Sequence, residues 1–404
     1  MHILLIHQAF AALDEPGGTR HHELARHLTR QGHQVTIIAS PVSYLTGTTR
    51  GKQIRKQTDD LGVTILRSFT IPALHRSFIW RVFSFLSFMV SSFINGLFVR
   101  KVDLVWGTSP PIFQAPTAWL LARLKGVPFL LEVRDLWPAF AIAVGILKNK
   151  CLIRLSKWLE RFLYRHADRV MVNSPGYISQ VEALGAKQVT LIPNGADPEM
   201  FNPHAKGMAF LQSHGLEDHF IVLYAGAHGM SNDLGVVLDA AEHLLDNITI
   251  KIVLLGDGKE KAQLQNEAWE RGLKNILFLP PIPKVEMGEV LAAADICLAI
   301  LKPVEMYKTT YPNKVFDYMA AGRPVILAID GVIKQVVEEA KAGIAVPPGD
   351  PVAIASAIRE LASNPEKCRT MGMNGRRLIE MQFSRTELAG KFTALLESMR
   401  RRNG

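Results

Sequence analysis

Short apolar runs recur along the chain, separated by helix-length amphipathic stretches. In the first half they fall at 2–6, 35–39, 63–66, 102–106, 128–133, 169–172 and 189–192. They are uniformly apolar, rich in β-branched residues, and bounded by Gly, Pro, Asp or His. That is the pattern of strands buried on both faces of a parallel sheet. Helices are expected between them; the one over 20–31 ends at Gly32, a residue suited to the left-handed turn after a helix.

The pattern then restarts. Residues 193–198 form a turn-rich break, followed by a polar segment to about 218. Six further runs follow at 220–225, 250–255, 276–279, 295–300, 324–329 and 343–346. Two consecutive alternating series predict two doubly wound, Rossmann-like α/β domains, 1–198 and 199–383, facing a central cleft. Ligands of such sheets bind at the carboxyl ends of the strands, so candidate chemistry is sought there.

One stretch departs from the alternation. Residues 78–99 are the most apolar of the chain, and 82–99 carry no charge. Length alone would allow a membrane span. A stripe of Arg81, Ser84, Ser87, Ser91 and Asn95 at helical spacing instead suggests a helix packed on the N-terminal domain, its broad apolar face left for a membrane surface. Arg76, Arg81, Arg100 and Lys101 flank it and suit anionic headgroups. A wholly buried core helix is the alternative.

The chain has 404 residues, too many for one ordinary core, and its 48% hydrophobic and 21% charged residues exclude disorder. A net charge of +9 suits anionic partners or simply keeps the protein soluble. Cys151, Cys297 and Cys368 are far apart, which argues against a zinc site or disulfide framework and for a reducing cytoplasm. The first strand lacks the basic flank of a signal peptide. No metal-binding DxD-like motif stands at a plausible strand end, so neither a metal nor a cofactor is expected. The basic residues form no nucleic-acid-binding pattern.

Five strand ends carry candidate chemistry. Gly17 and Gly18 precede a helix and let backbone N–H groups approach an anion or hydroxyl, or make a plain tight turn. The run at 128–133 breaks into Arg134, Asp135 and Trp137 before Pro138. Asp135 suits proton acceptance or a cationic sugar, Arg134 a phosphate and Trp137 a sugar face; an Arg134–Asp135 ion pair is the plainer alternative. In the second half, Gly226, Ala227, His228 and Gly229 form a small-residue loop feeding a helix, suited to phosphate oxygens. His228, between small residues, is expected to be exposed. Gly256-Asp257-Gly258 is a turn against whose backbone a flat base can lie. Lys314 and Asp317 lie three apart on a helix that Pro312 opens and Gly322 ends. They suit a diphosphate and a ribose, or pair with each other.

On these residues the chain resembles the family 4 glycosyltransferases, retaining enzymes of the GT-B architecture. The nearest look is to bacterial O-antigen and exopolysaccharide members, including the N-acetylfucosaminyltransferase-like group. The resemblance covers nearly the whole chain. It rests on the order and spacing of Gly17-Gly18, Arg134 to Pro138, His166-Ala167-Asp168, Asn194 to Asp197, Gly226 to Gly229, Gly256 to Gly258 and Pro312 to Pro324.

It implies a retaining transfer from a UDP-sugar, an N-acetylated amino sugar among the candidates. The acceptor would be polyprenyl-linked or a glycan in surface polysaccharide synthesis. Gly226, His228 and Gly229 would line the diphosphate, Gly256, Asp257 and Gly258 the base. Lys314 would lie near the phosphates, Asp317 on the ribose, and Asp135 beside the reacting sugar. Gly17 and Gly18 would face the donor from the N-terminal domain, onto which the last helix, about 384–404, would cross back. Lys314, His228 and backbone dipoles would stabilise the leaving diphosphate without a metal.

Two departures stand out. The family's E-x7-E carboxylates fall here on Thr309 and Asp317, the first with no carboxylate and the second one methylene shorter. Ala227 and Asn232 stand near places where many members carry Arg and Lys. A cytoplasmic enzyme, peripheral on the inner face of the plasma membrane, is expected. A UDP-sugar 2-epimerase on the same architecture and a non-catalytic sugar-nucleotide-binding subunit are the rival readings.

Overall fold

The computed structural model describes residues 1–43, 47–49, 55–73, 76 and 78–401. The chain divides into two compact units. One comprises 1–12, 18–193 and 386–404; the other comprises 13–17 and 194–385. The division falls between Pro193 and Asn194, not after Pro198, because Ala196 already belongs to the second unit. It bridges to Ser384, its N–H donates to the Phe383 carbonyl, and its own carbonyl accepts from the Arg385 N–H at 2.8 Å.

The first unit holds an eight-stranded sheet of β1 (His2–His7), β2 (Gln34–Ala39), β3 (Lys56–Thr58), β4 (Thr64–Arg67), β5 (Leu104–Ser109), β6 (Phe129–Val133), β7 (Arg169–Val172) and β8 (Val189–Leu191). Its order is β3-β4-β2-β1-β5-β6-β7-β8. All pairs are parallel except β3–β4. β3, Lys-Gln-Thr and fully exposed, has no apolar signature, so the sequence pattern missed it. β5 runs on to Ser109, beyond the apolar run that announced it. The centre of the sheet is sealed on both faces: β1 is buried along its whole length.

The C-terminal helix Arg385–Arg401 enters this unit's core. Leu388, Ala389, Phe392 and Leu396 pack with Ile3, Leu5, Leu24 and Trp106, the Phe392 and Trp106 rings 4.7 Å apart. Each fully buried side chain of the Leu or Phe kind contributes about 1.5–3 kcal/mol, so the helix is anchored by its own apolar stripe.

The second unit holds a six-stranded parallel sheet of β9 (Phe220–Ala225), β10 (Ile250–Leu255), β11 (Ile276–Leu279), β12 (Ile296–Ile300), β13 (Val325–Ala328) and β14 (Gly343–Ala345). Its order is β11-β10-β9-β12-β13-β14. Neighbours β9 and β12 are distant in sequence, so the chain reverses direction of travel at β9. That is the switch point where such sheets take ligands.

The apolar stretch is a helix, Phe78–Phe98. It connects β4 to β5, two parallel strands of one sheet. A bilayer-spanning helix would place those strands on opposite sides of the membrane, so the sheet excludes a span. A core helix is excluded as well, because Phe83, Val90 and Phe98 are exposed. Ser91 and Asn95 turn inward, donating to the Phe69 carbonyl at 2.6 Å and the Ser68 hydroxyl at 2.6 Å.

Candidate active site

Each unit gathers candidate residues at the carboxyl ends of its strands. In the second unit the loop after β9 and the turn after β10 interlock. The His228 N–H donates to the Asp257 carbonyl at 2.8 Å, and the Glu260 N–H donates to the His228 carbonyl at 2.9 Å. Glycine is required at this contact. A Cβ on Gly256 would sit 1.9 Å from the Gly226 carbonyl oxygen, and one on Gly258 would sit 2.3 Å from the His228 carbonyl oxygen. Asp257 turns its carboxylate back onto the Gly258 N–H at 2.8 Å, locking the turn. Lys261, which the sequence reading did not single out, braces it from below through the Gly256 and Leu279 carbonyls at 2.7 and 2.9 Å. Around Gly229 there is open space.

His228 is fully buried, not exposed as expected from its small neighbours. The interlocked turn closes over it, with the Tyr224 and Phe278 rings each 6.1 Å away. Burial, helped by the Lys261 and Lys314 cations, lowers its imidazole to about 4. At neutral pH it is therefore a neutral hydrogen-bonding group and adds no charge against a phosphate. Neither ring nitrogen has a hydrogen-bond partner among the described residues.

Lys314 lies on the helix Asn313–Ala320, which starts directly after Pro312. Its Nζ stands 3.8 Å from the centre of the Tyr224 ring and 2.7 Å from where a Cβ on Gly226 would be. Asn232 Oδ1 is a distant acceptor at 3.5 Å, and no carboxylate pairs with it among the described residues. Although half-buried rather than sealed, the ammonium loses enough water to fall to about 7. An under-solvated cation beside a glycine loop is suited to an anion.

The anticipated Lys314–Asp317 pair does not form. Asp317 pairs instead with Lys284, at 2.5 Å. Lys284 follows β11, and its ammonium also lies 5.2 Å from the centre of the Phe201 ring. The sequence reading missed it because the two residues are brought together only by the sheet. Thr309 ends the short turn Glu305–Thr309 and donates its hydroxyl to the Met306 carbonyl at 2.7 Å.

Gly17 and Gly18 are both exposed just before the helix Arg20–Arg30; the division between units falls between them, so Gly17, expected in the N-terminal domain, groups with the second unit and Gly18 with the first. Gly17 has φ 139°, a conformation open to glycine. The other candidates of the first unit, Arg134, Asp135 and Trp137, follow β6. Arg134 donates to the Pro110 carbonyl at 2.6 Å rather than to Asp135. Asp135 keeps exposed surface, yet the protein crowded around it raises its carboxyl to about 6, against the pull of Arg134. Trp137 packs edge-on against Phe113 at 5.7 Å and stays half-buried.

Behind these residues lies a buried cluster the sequence did not announce. Glu132, fully buried, accepts from Arg20 Nε at 3.1 Å, His21 Nε2 at 2.7 Å and Trp106 Nε1 at 3.1 Å. Arg20 also donates to the Ile192 and Pro193 carbonyls, both at 2.7 Å. Burial alone would raise the Glu132 carboxyl, but His21, Arg20 and Arg134 outweigh it and hold it at about 2. Burial lowers His21 more than Glu132 raises it. The pair at neutral pH is thus a neutral imidazole donating to a carboxylate, with Arg20 as the cation.

Comparison with known proteins completes the picture. Residues 17–195 match the model of the glycosyl transferase 4-like domain, and residues 209–378 match that of the glycosyl transferases group 1. The chain belongs to the family 4 glycosyltransferases. This glycosyltransferase is 25% identical, over 76% of its length and 78% of the other's, to WcaI of Escherichia coli strain K12, a protein named for glycosyl transfer in colanic acid biosynthesis. Its fold is the GT-B fold. The sucrose-phosphate synthase of Thermosynechococcus elongatus superposes with a TM-score of 0.79 at 20% identity, covering 98% of each chain. HepE of Anabaena, solved with UDP and glucose, superposes with a TM-score of 0.73 at 16% identity, covering 98% of this chain and 100% of that one. The glycosyltransferase is therefore an enzyme, and neither the epimerase nor the non-catalytic reading is favoured.

Proposed function

We propose that this glycosyltransferase moves a sugar from a UDP-sugar to a hydroxyl of a lipid-linked or glycan acceptor, with retention, in the assembly of a surface polysaccharide. The observation that carries the reading is Lys314. It is an ammonium without a carboxylate partner among the described residues, set over Tyr224 beside the glycine loop that starts the next helix. A departing diphosphate supplies the charge this cation lacks. His228 contributes a neutral hydrogen bond, and the N-terminus of the helix Leu234–Glu242 adds its backbone dipoles. UDP bound to HepE and the colanic acid role in WcaI's name support the donor and the pathway class.

Asp135 would stand beside the reacting sugar, with Arg134, Trp137 and the Gly17-Gly18 turn as binding groups. No metal enters this scheme: leaving-group stabilisation falls to Lys314 and the backbone. Asp317, shortened and held by Lys284, would meet the ribose as one half of an ion pair. The exposed face of the Phe78–Phe98 helix would rest on the inner surface of the plasma membrane and bring the enzyme to a polyprenyl-linked acceptor.

Incubating the purified protein with a panel of nucleotide sugars tests the donor class. A rise in melting temperature with UDP-sugars, with UDP released only when acceptor is present, is the expected result. A rise confined to another nucleotide would end the UDP assignment. The glycine interlock supplies a local check. Gly256→Ala drives a methyl group into the Gly226 carbonyl, spreads the loop, and is expected to abolish the UDP-dependent melting shift. An undiminished shift would show that the nucleotide binds elsewhere.

A further inference from the structure

Three helices of the first unit lie side by side. The helix Gln114–Lys125 is in the middle. On one side its Lys125 ammonium donates to the Val99 carbonyl at 2.7 Å, and its Thr117 hydroxyl to the Met89 carbonyl at 3.2 Å, tying it to the Phe78–Phe98 helix. On the other side Trp119 packs edge-on against Phe162, 4.9 Å between ring centres, and Arg123 donates to the His166 carbonyl at 3.1 Å. Phe162 and His166 belong to the third helix, Lys150–His166, capped by the Asn149 side chain on the Cys151 and Leu152 N–H groups.

The outer face of this third helix has two stripes. Buried Ser156, Glu160, Leu163 and Tyr164 mark the side turned into the unit. Opposite them run exposed Leu155 and Trp158, on the side of the helix that meets Trp119. Beside these run Lys150, Arg154, Lys157, Arg161 and Arg165, all exposed and spaced three or four apart. The helix's one carboxylate, Glu160, is buried and accepts the Tyr164 hydroxyl, so the exposed face is wholly positive. Leu124 of the middle helix is also exposed, at 61%.

We infer that the Lys150–His166 helix is a second membrane-contact element, a basic ridge that takes the phosphates of anionic phospholipids while Trp158 and Leu155 enter the interface. The inference rests on the proposed membrane contact of the Phe78–Phe98 helix and names the lipid class it meets. The argument is charge complementarity. An apolar face alone would suit any bilayer or a second copy of the chain. A row of five cations with no exposed acid repels a second copy and is attracted by an anionic surface.

Co-sedimentation with vesicles of phosphatidylcholine alone, or mixed with phosphatidylglycerol, tests it. The wild-type chain is expected to pellet with the mixed vesicles, less so as salt rises, and poorly with phosphatidylcholine. A basic residue near an anionic surface is worth about fivefold in affinity. The triple variant Arg154→Gln, Lys157→Gln, Arg161→Gln should therefore lose about a hundredfold. All three side chains are exposed, so its melting temperature should match wild type. A second variant, Phe83→Ser with Val90→Ser, separates the two elements. If it loses binding while the triple variant keeps wild-type affinity, the ridge is refuted and the first helix retained. If wild type fails to bind mixed vesicles, both readings fall. Self-association that the triple variant abolishes would assign the face to a second copy and overturn the proposal.

Discussion

Lys314→Met is expected to lower kcat for sugar transfer by about 10²–10³, the loss typical when one preorganised group facing a developing negative charge is removed. Methionine keeps the bulk beside Tyr224 and Gly226 and removes only the cation. The pH profile gives an independent reading. In the free enzyme the ammonium titrates at about 7, because desolvation disfavours its charged form. The charged form is the one a diphosphate needs, so kcat/KM for the donor should fall as pH rises through 7. A bound diphosphate restores the proton, so kcat should hold to higher pH. Stability moves the other way. The unfolded chain titrates Lys314 near the ordinary lysine value of 10.5. Between 7 and 10.5 it binds more protons than the folded chain, so this residue makes the protein more stable as pH rises across that window. Lys314→Met should lack that contribution and be no less stable than wild type at neutral pH. Steady-state rates with urea melts across pH check all three points. An unchanged kcat in the variant would remove Lys314 from the mechanism.

Glu132→Ala should destabilise the first unit by about 3–5 kcal/mol, the usual result of breaking a buried, hydrogen-bonded ion pair. The residue is fully buried and accepts from three side chains. Its loss leaves the Arg20 guanidinium without its carboxylate, and the Trp106 and His21 donors without an acceptor. Glu132→Gln keeps the shape and one acceptor oxygen and should cost less. The acid limb follows from the depressed carboxyl. Against the ordinary glutamate value of 4.5 in the unfolded chain, the folded value of about 2 means its stabilisation is complete above 4.5. It is lost as pH falls toward 2. Chemical denaturation of wild type and both variants at neutral and acid pH would show this. A Glu132→Ala protein as stable as wild type, or equally acid-sensitive, would refute the account.

Much of the fold was legible because parallel strands buried on both faces announce themselves as short apolar runs. Among the described residues, thirteen strands, from His2–His7 to Gly343–Ala345, fall on runs read from the chain, whereas β3 is polar and exposed at a sheet edge and carries no such signal. Site positions were legible for a related reason. Gly256 and Gly258 stand at strand ends where a side chain cannot fit, and Pro312 and Gly322 bracket a helix. Their partners were not. Asp317 is expected on a ribose or against its helical neighbour Lys314, but the cation it pairs with is Lys284, from a different strand end. His228 was read as exposed because its neighbours are small, yet those small neighbours are what let another turn close over it.

The amino-acid order by itself determined two doubly wound units, their strand ends and the glycine turns, because hydrophobic period and glycine's missing Cβ act over a few neighbouring residues. Tertiary structure alone decided the charge state of the site. Burial makes His228 neutral, leaves Lys314 half-desolvated, and gathers Arg20, His21 and Trp106 on Glu132. A proton's affinity depends on the water and charges within a few ångströms, and those come from segments a hundred residues apart.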